Sequence, residues 1–237
     1  MSRDLPDPVE TARRYARDLV RTGFETKEHT IQSVTECMEE YEMDDLDEIV
    51  QSSVNAEIES LLDEQTKWEH PTDCDRLELA FRDLNSTGIL AQHHYTCCRN
   101  CGDFEIRLHM QHEVQQGRTC RGFTYYHVQD TERAVEGQGL FLAYGDSREE
   151  GSDGEEEASI AVGHHVCDIL RQHGLKPIWN DDIEKRIVVP LDWKRPWPPK
   201  VSDVVPDAAL EMYSASVVKK NEPAGFWARL RKVFGKR

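Results

Sequence analysis

The sequence predicts an α/β fold of the α+β kind: a mixed sheet of about five strands with helices packed on it, preceded by a small helical N-terminal unit. Two observations support this class. Apolar residues recur at three- and four-residue spacing in the first part of the chain, as on amphipathic helices. Further along, short β-rich apolar segments alternate with helical patterns, as in domains whose helices cover a sheet.

Three amphipathic helices are expected in the N-terminal unit, residues 1–69. The first follows Asp7-Pro8, a capping residue with proline at the first helical position, and ends at Gly23. The second begins near Thr26 and the third near Asp45, both of residue types that favour the N-cap. Their apolar stripes are expected to form a common core.

The predicted α/β domain spans residues 70–195, and Thr72 is expected to cap its first helix. Two later helices are predicted at 103–116 and 155–173. The predicted strands are 89–96, 123–128, 140–144, 175–179 and 183–189.

The central strand is predicted at Leu140–Tyr144, because this segment is apolar on both faces and such strands lie inside covered sheets. Before it, a short helical segment is expected with Asp130 as its N-cap. The last two strands are joined through 180–182, Asn-Asp-Asp, which favours a hairpin and an antiparallel end to the sheet.

Composition restricts the class of partner. The chain carries a net charge of −16 and a mean hydropathy of −0.69, so general binding to nucleic acid is not expected, whereas a basic protein partner is compatible. No apolar run approaches the ~18 residues of a membrane span, and the start of the chain lacks the pattern of a secretory signal. A cytoplasmic protein with reduced cysteines is therefore predicted.

The C-terminal region differs from the rest. Residues 196–223 are predicted to be a proline-rich linker and 224–237 a basic amphipathic tail helix. Residues 201–237 hold seven basic and four acidic side chains, a net charge of +3. Two interpretations stay open: weak contact of the tail with an anionic membrane at its inner face, or docking on the acidic surface of the protein itself.

A cysteine-rich turn carries the strongest chemical signal. Cys97, Cys98 and Cys101 are expected at the entry to a helix on which His109 and His112 lie three residues apart. Thiolates at such spacing can hold zinc, with an imidazole completing a tetrahedral set, but the second Cys pair of strong zinc patterns is missing. A thiol-redox site and inert reduced thiols are the alternatives.

No catalytic residue is predicted. His127 and Asp130 could form an acid–base pair at a strand end, but a hydrogen-bonded core histidine is the simpler interpretation. No phosphate loop, nucleophile elbow or metalloprotease helix accompanies them.

The run YYHVQDTERAVEGQGLFLAYG, residues 125–145, resembles the signature of a bacterial family known only as a domain of unknown function. Similarity extends to 72–77, to 95–98 and to 191–193, so that it covers roughly residues 10–195. The resemblance implies no activity, cofactor, partner or site residue.

The leading hypothesis is a non-enzymatic interaction or regulatory module with an unidentified, basic protein partner. The alternatives are a zinc or thiol-redox site at the cysteine-rich turn and peripheral membrane attachment through the tail.

Overall fold

The computed structural model describes residues 5–148 and 151–199. Within this part of the chain there are two compact units, one made of residues 5–67 and 196–199 and the other of Trp68–Arg195. The predicted tail helix and all but the start of the predicted linker lie outside the described residues. No helix of the described ranges is both long and apolar enough to cross a membrane.

The first unit contains three helices: α1 (Pro8–Val20), α2 (Lys27–Cys37) and α3 (Leu46–Gln65). Two of the predicted caps are made by side chains, since Asp7 Oδ1 accepts a hydrogen bond from the backbone N–H of the second helical residue and Thr26 Oγ1 accepts one from the third. The core between the helices is built from residues that are fully buried: Ala12, Ala16, Val20, Val34, Met38, Val50 and Val54.

The second unit is a mixed α+β domain, which confirms the predicted class. Its sheet has the order β1-β2-β3-β4, with β1 parallel to β2 and the other two pairs antiparallel. In chain order its elements are α4 (Asp73–Ser86), β1 (Ile89–Gln92), α5 (Arg99–Gln115), β2 (Gly122–Tyr125), α6 (Val128–Val135), β3 (Leu140–Asp146), α7 (Glu155–Gln172) and β4 (Ile187–Val189). β3 pairs on both sides, as predicted for the central strand.

The described sheet has four strands where about five were expected. Residues 175–179 contribute only one bridge, between Ile178 and Val188. The reason is the turn that follows, where Asp181 adopts a φ of 62° and the N–H of Lys185 donates to the carbonyl of Asp182. The chain becomes extended only at residue 187, which leaves one residue pair for the predicted hairpin.

Two boundaries around the cysteine-rich turn also differ from prediction. β1 ends at Gln92 because His94 and Thr96 adopt φ values of 48° and 55°, which no strand contains. α5 begins at Arg99, earlier than predicted, because Cys98 is extended and acts as its N-cap. Cys98 is therefore the N-cap of a helix, Cys97 precedes it and Cys101 lies in the first turn.

Helices cover both faces of the sheet. α5 packs on the face that carries Phe123 and Tyr125, where a buried cluster includes Ile106 and Met110 of the helix. α7 packs on the opposite face, since a Cβ at Gly122 would lie 2.7 Å from Cγ2 of Val162. α4 contacts both α7 and β1.

Candidate functional site

The parallel pair of strands brings two helix N-termini together. Since β1 and β2 run in the same direction, the segments after both strands emerge at one edge of the sheet, where crevices form in α/β folds. The first segment leads to Cys98, the N-cap of α5, and the second to His127, the N-cap of α6. The cysteine-rich turn and the segment that follows β2 therefore lie at the same edge of the sheet.

The start of α5 is held against β2 by a close contact. A Cβ at Gly102 would lie only 2.5 Å from the ring of Tyr125, so only glycine lets the helix approach this far. The hydroxyl of Tyr125 is 2.5 Å from Oδ1 of Asp103 and 3.2 Å from the carbonyl oxygen of Arg99, and it donates to these acceptors. The first turn of α5 is therefore fixed to the sheet.

Three sulfur atoms gather at this turn. Cys97 Sγ lies 3.7 Å from Cys98 Sγ and 3.5 Å from Cys101 Sγ, and all three sulfurs are within 4.8 Å of one another. In a tetrahedral zinc site with Zn–S bonds of about 2.3 Å, sulfurs are roughly 3.8 Å apart. The spacing is thus close to that of a zinc–thiolate centre.

The two predicted histidine ligands are not brought to the cysteines. Among the described residues, the group close enough to share a metal ion consists of the three cysteines alone. His109 follows Cys101 by eight residues of helix, a rise of about 12 Å. Its ring stacks on Tyr95 and its Nε2 lies 3.6 Å from a carboxylate oxygen of Glu113, while the still more distant His112 is exposed.

The three thiols differ in acidity. Burial opposes ionisation of Cys98, but the backbone N–H of Cys101 and the Cys97 thiol favour its thiolate, and the pKa of Cys98 is lowered. Burial and the two neighbouring sulfurs raise the pKa of Cys97 to about 12. Burial also raises the pKa of Cys101. Cys98 therefore ionises first.

Cys98 also lines a pocket of about 290 Å³ at the junction of the two helix starts. The pocket contains three arginines and no acidic residue, in a chain whose net charge is −16. Its lining residues are Cys98, Arg99, Asn100, His127, Gln129, Arg133 and Arg186. We call it the arginine pocket.

Strand register places one of these arginines. Arg186 directly precedes β4. Since Ile187 of β4 pairs with Leu142 of β3, Arg186 lies beside Ala143, the next residue of β3. Ala143 in turn pairs with Tyr125, the last residue of β2. Arg186 therefore lies level with the strand end from which His127 follows.

A buried carboxylate lies beneath the arginine pocket. Both oxygens of Asp130 accept hydrogen bonds from Nη1 of Arg186, at 2.8 and 2.9 Å, and Oδ2 lies 3.1 Å from Nε2 of His127. Arg133 approaches to 3.6 Å. Asp130 was predicted as the N-cap of the short helix; it is instead the third helical residue, and its Oδ2 accepts from the backbone N–H of His127.

The environment shifts both titratable groups. Burial, with the charges of Arg186 and Arg133 next in importance, lowers the pKa of His127 to about 4. Burial raises the pKa of Asp130, against the opposing effect of the arginines. His127 is therefore neutral at pH 7, and a base of such low pKa takes up a proton only weakly, which disfavours the acid–base hypothesis.

The three arginines are site residues that the sequence does not predict. Arg133 lies within the run at residues 125–145 and Arg99 directly follows the first two cysteines, but no motif assigns a role to either of them. Arg186 is separated from Asp130 by 56 residues, and no local pattern connects the two.

Comparison with known proteins gives a family and no further neighbour. No curated protein and no solved structure matches this chain. A family model described as Domain of unknown function (DUF6891) matches residues 6–196, most of the chain and close to the range over which the sequence resembles a family of unknown function. The chain therefore belongs to the family described as Domain of unknown function (DUF6891).

Proposed function

We propose that Cys97, Cys98 and Cys101 bind one zinc ion. The observation that supports this most directly is the placement of the three sulfurs within 4.8 Å of one another. Zinc requires thiolates, and the lowered pKa of Cys98 provides the first of them near neutral pH. Once a metal occupies the site, its charge favours ionisation of the other two thiols.

The fourth coordination position is proposed to face the arginine pocket, since Cys98 belongs to both. Zinc sites with three protein ligands keep a fourth position for water or another small ligand. Zinc–thiolate binding needs reduced cysteines, which fits the reducing cytoplasm predicted from the sequence.

Metal analysis of the full-length protein tests the proposal. We expect about one zinc ion per chain, because the three sulfurs form one site, with loss of the metal on Cys98→Ser. Cys37→Ser is the matched control: its thiol is half-buried, belongs to the other unit and should leave the zinc content unchanged. Zinc-supplied, reduced protein that binds no metal would contradict the proposal.

A second candidate function is thiol–disulfide chemistry between Cys98 and Cys101. The lowered pKa of Cys98 and the raised pKa of Cys101 match a reactive thiol followed by a resolving thiol, at the start of the helix in a β–α–β unit. In this reaction the two thiols lose two protons and two electrons to an oxidised disulfide such as that of glutathione, forming one S–S bond. A reversible loss of two mass units in metal-free protein, absent in Cys101→Ser, would support it.

For the molecule as a whole, we propose an interaction or regulatory module rather than an enzyme, with a basic protein partner. The net charge of −16 supports such a partner through electrostatic complementarity. Turnover of any compound in a small-molecule panel, lost on Cys98→Ser, would contradict this proposal.

A further inference from the structure

We propose that the arginine pocket binds a small molecule through its phosphate group. The inference goes beyond the zinc proposal, because arginine is not a zinc ligand and only Cys98 is shared between the two sites. The site lies at the carboxyl ends of the parallel strands, the usual place for ligands in α/β folds.

The arginine pocket carries a local positive charge. Arg99, Arg133 and Arg186 are paired with two carboxylates, Asp103 and Asp130, so these five side chains leave one net positive charge. Neither carboxylate lines the pocket. An anion is therefore attracted here, although the chain as a whole repels anions.

The arginines of the pocket also have hydrogen-bond donors that the described protein does not use. Within the described ranges, Arg186 uses only Nη1 and Arg99 only Nε in hydrogen bonds, and Arg133 makes none. The remaining guanidinium N–H groups can donate to oxygens of a ligand. Guanidinium groups match phosphate oxygens in geometry as well as in charge.

Two of these arginines are held in place by neighbouring side chains. The guanidinium carbon of Arg186 lies 5.0 Å from the centre of the Phe141 ring and that of Arg133 lies 5.8 Å from it, so one ring supports two arginines. Arg186 is further fixed by both oxygens of Asp130. A donor that is already oriented loses less entropy when a ligand binds.

His127 adds a buried imidazole to the lining of the pocket. Its side chain is 96% buried, it lines the pocket, and its Nδ1 has no hydrogen-bond partner in the described structure. Buried polar atoms are normally satisfied by protein, water or ligand. The N-terminal ends of α5 and α6 both lie at the pocket, and the positive ends of the two helix dipoles favour an anion there. The volume, about 290 Å³, is at the small end of sites for organic ligands and suits a small phosphomonoester.

The test is titration of the full-length protein with inorganic phosphate, phenyl phosphate and acetate by calorimetry at low ionic strength. We expect saturable binding of phosphate to one site, weakened at least tenfold by the double substitution Arg99→Gln/Arg133→Gln. Both side chains are about half exposed, so circular dichroism should show an unchanged fold. Arg118→Gln/Arg171→Gln removes the same charge from two exposed, carboxylate-paired arginines elsewhere and should leave binding unchanged.

The outcomes separate the sources of the phosphate group. Tighter binding of phenyl phosphate than of inorganic phosphate would indicate that the ligand is an organic phosphate. Equal binding of the two would indicate the free phosphate ion. Tighter binding of acetate, no saturable binding, or equal losses in the two double variants would overturn the proposal. Saturable phosphate binding that persists after a chelator has removed any bound metal depends on the arginine pocket alone, so failure of the zinc proposal and failure of this one are distinguishable.

Discussion

Asp130 is fully buried, and its contacts show how single residues set the properties of the site. A buried carboxylate is costly unless it is paired and hydrogen-bonded. Arg186 meets this requirement on both oxygens, and its charge acts together with burial, the larger effect, to lower the pKa of the adjacent His127. One side chain thus stabilises the carboxylate as an anion and the imidazole as a neutral ring.

The lowered pKa of His127 predicts acid sensitivity. In the unfolded chain this histidine binds a proton near its ordinary pKa of 6.5, but in the folded protein only near 4, so stability falls as pH decreases from 6.5 to about 4. Between pH 7.5 and 5 the loss from this group is roughly 2 kcal/mol. Asp130, whose pKa is raised, takes up its proton earlier in the folded state and opposes this loss at the acid end.

Urea unfolding at both pH values measures the effect. His127→Gln should unfold with a smaller difference between pH 7.5 and 5 than the wild type. His164→Gln, at a half-exposed histidine, should retain the wild-type difference. An unchanged difference in His127→Gln would show that another group causes the acid sensitivity.

At the scale of residues, part of the candidate site could be predicted from the sequence. Cys97, Cys98 and Cys101 could be identified from their spacing, because thiols within one five-residue turn are necessarily close. His109 and His112 were expected beside them, but the helix carries both away from the sulfurs along its axis. Arg186 could not be found, because its approach to Asp130 depends on the register of β4.

The position of α5 is the main feature at the scale of elements. Glycine usually weakens a helix, yet Gly102 stands in its first turn and lies against Tyr125. The helix propensity lost there is exchanged for close packing on β2. The place of the cysteines relative to the sheet depends on this contact.

Substitution of Gly102 tests this dependence. Gly102→Ala should destabilise the protein by about 1–3 kcal/mol, because overpacking outweighs the roughly 1 kcal/mol gain in helix propensity. It should also reduce zinc binding, since the start of α5 must move away from Tyr125. Denaturant unfolding and metal analysis give the two readouts.

Gln111→Ala on the exposed face of α5 is the control and should change neither the stability of the protein nor its zinc content. Stabilisation by Gly102→Ala, as propensity alone would give, would show that the helix tolerates displacement.

Element boundaries were predictable where the signal is local. Leu140–Tyr144 was identified as the central strand because both of its faces are apolar, and the structure confirms this. The early end of β1 has no such signal, since His94 and Thr96 adopt left-handed backbone conformations without being glycine or asparagine. Between these two residues, Tyr95 N–H donates to the carbonyl of Tyr126, directly after β2, which is a contact that no local sequence pattern reveals.

At the scale of the whole molecule, charge is distributed unevenly along the sequence. Residues 201–237 carry a net charge of +3, so residues 1–200 hold −19. Basic side chains outnumber acidic ones in two segments of different kind, the predicted tail and the lining of the arginine pocket. The tail lies outside the described residues, and its role stays a prediction.

The tail prediction concerns anionic membranes. Deleting residues 224–237 should abolish co-sedimentation with vesicles that contain phosphatidylserine, because it removes basic side chains together with an apolar face. Trp227→Ala/Phe234→Ala keeps the charge and should weaken binding partially. Unchanged sedimentation of the deletion variant would favour docking of the tail on the protein's own acidic surface.

Cys98 belongs both to the sulfur cluster and to the lining of the arginine pocket. If both sites are occupied, their occupants are thermodynamically linked: whatever a bound cation does to the affinity for an anion, the anion must do, by the same factor, to the affinity for the cation. The occupancy of the cation site would then depend on the concentration of the anion, and the occupancy of the anion site on that of the cation.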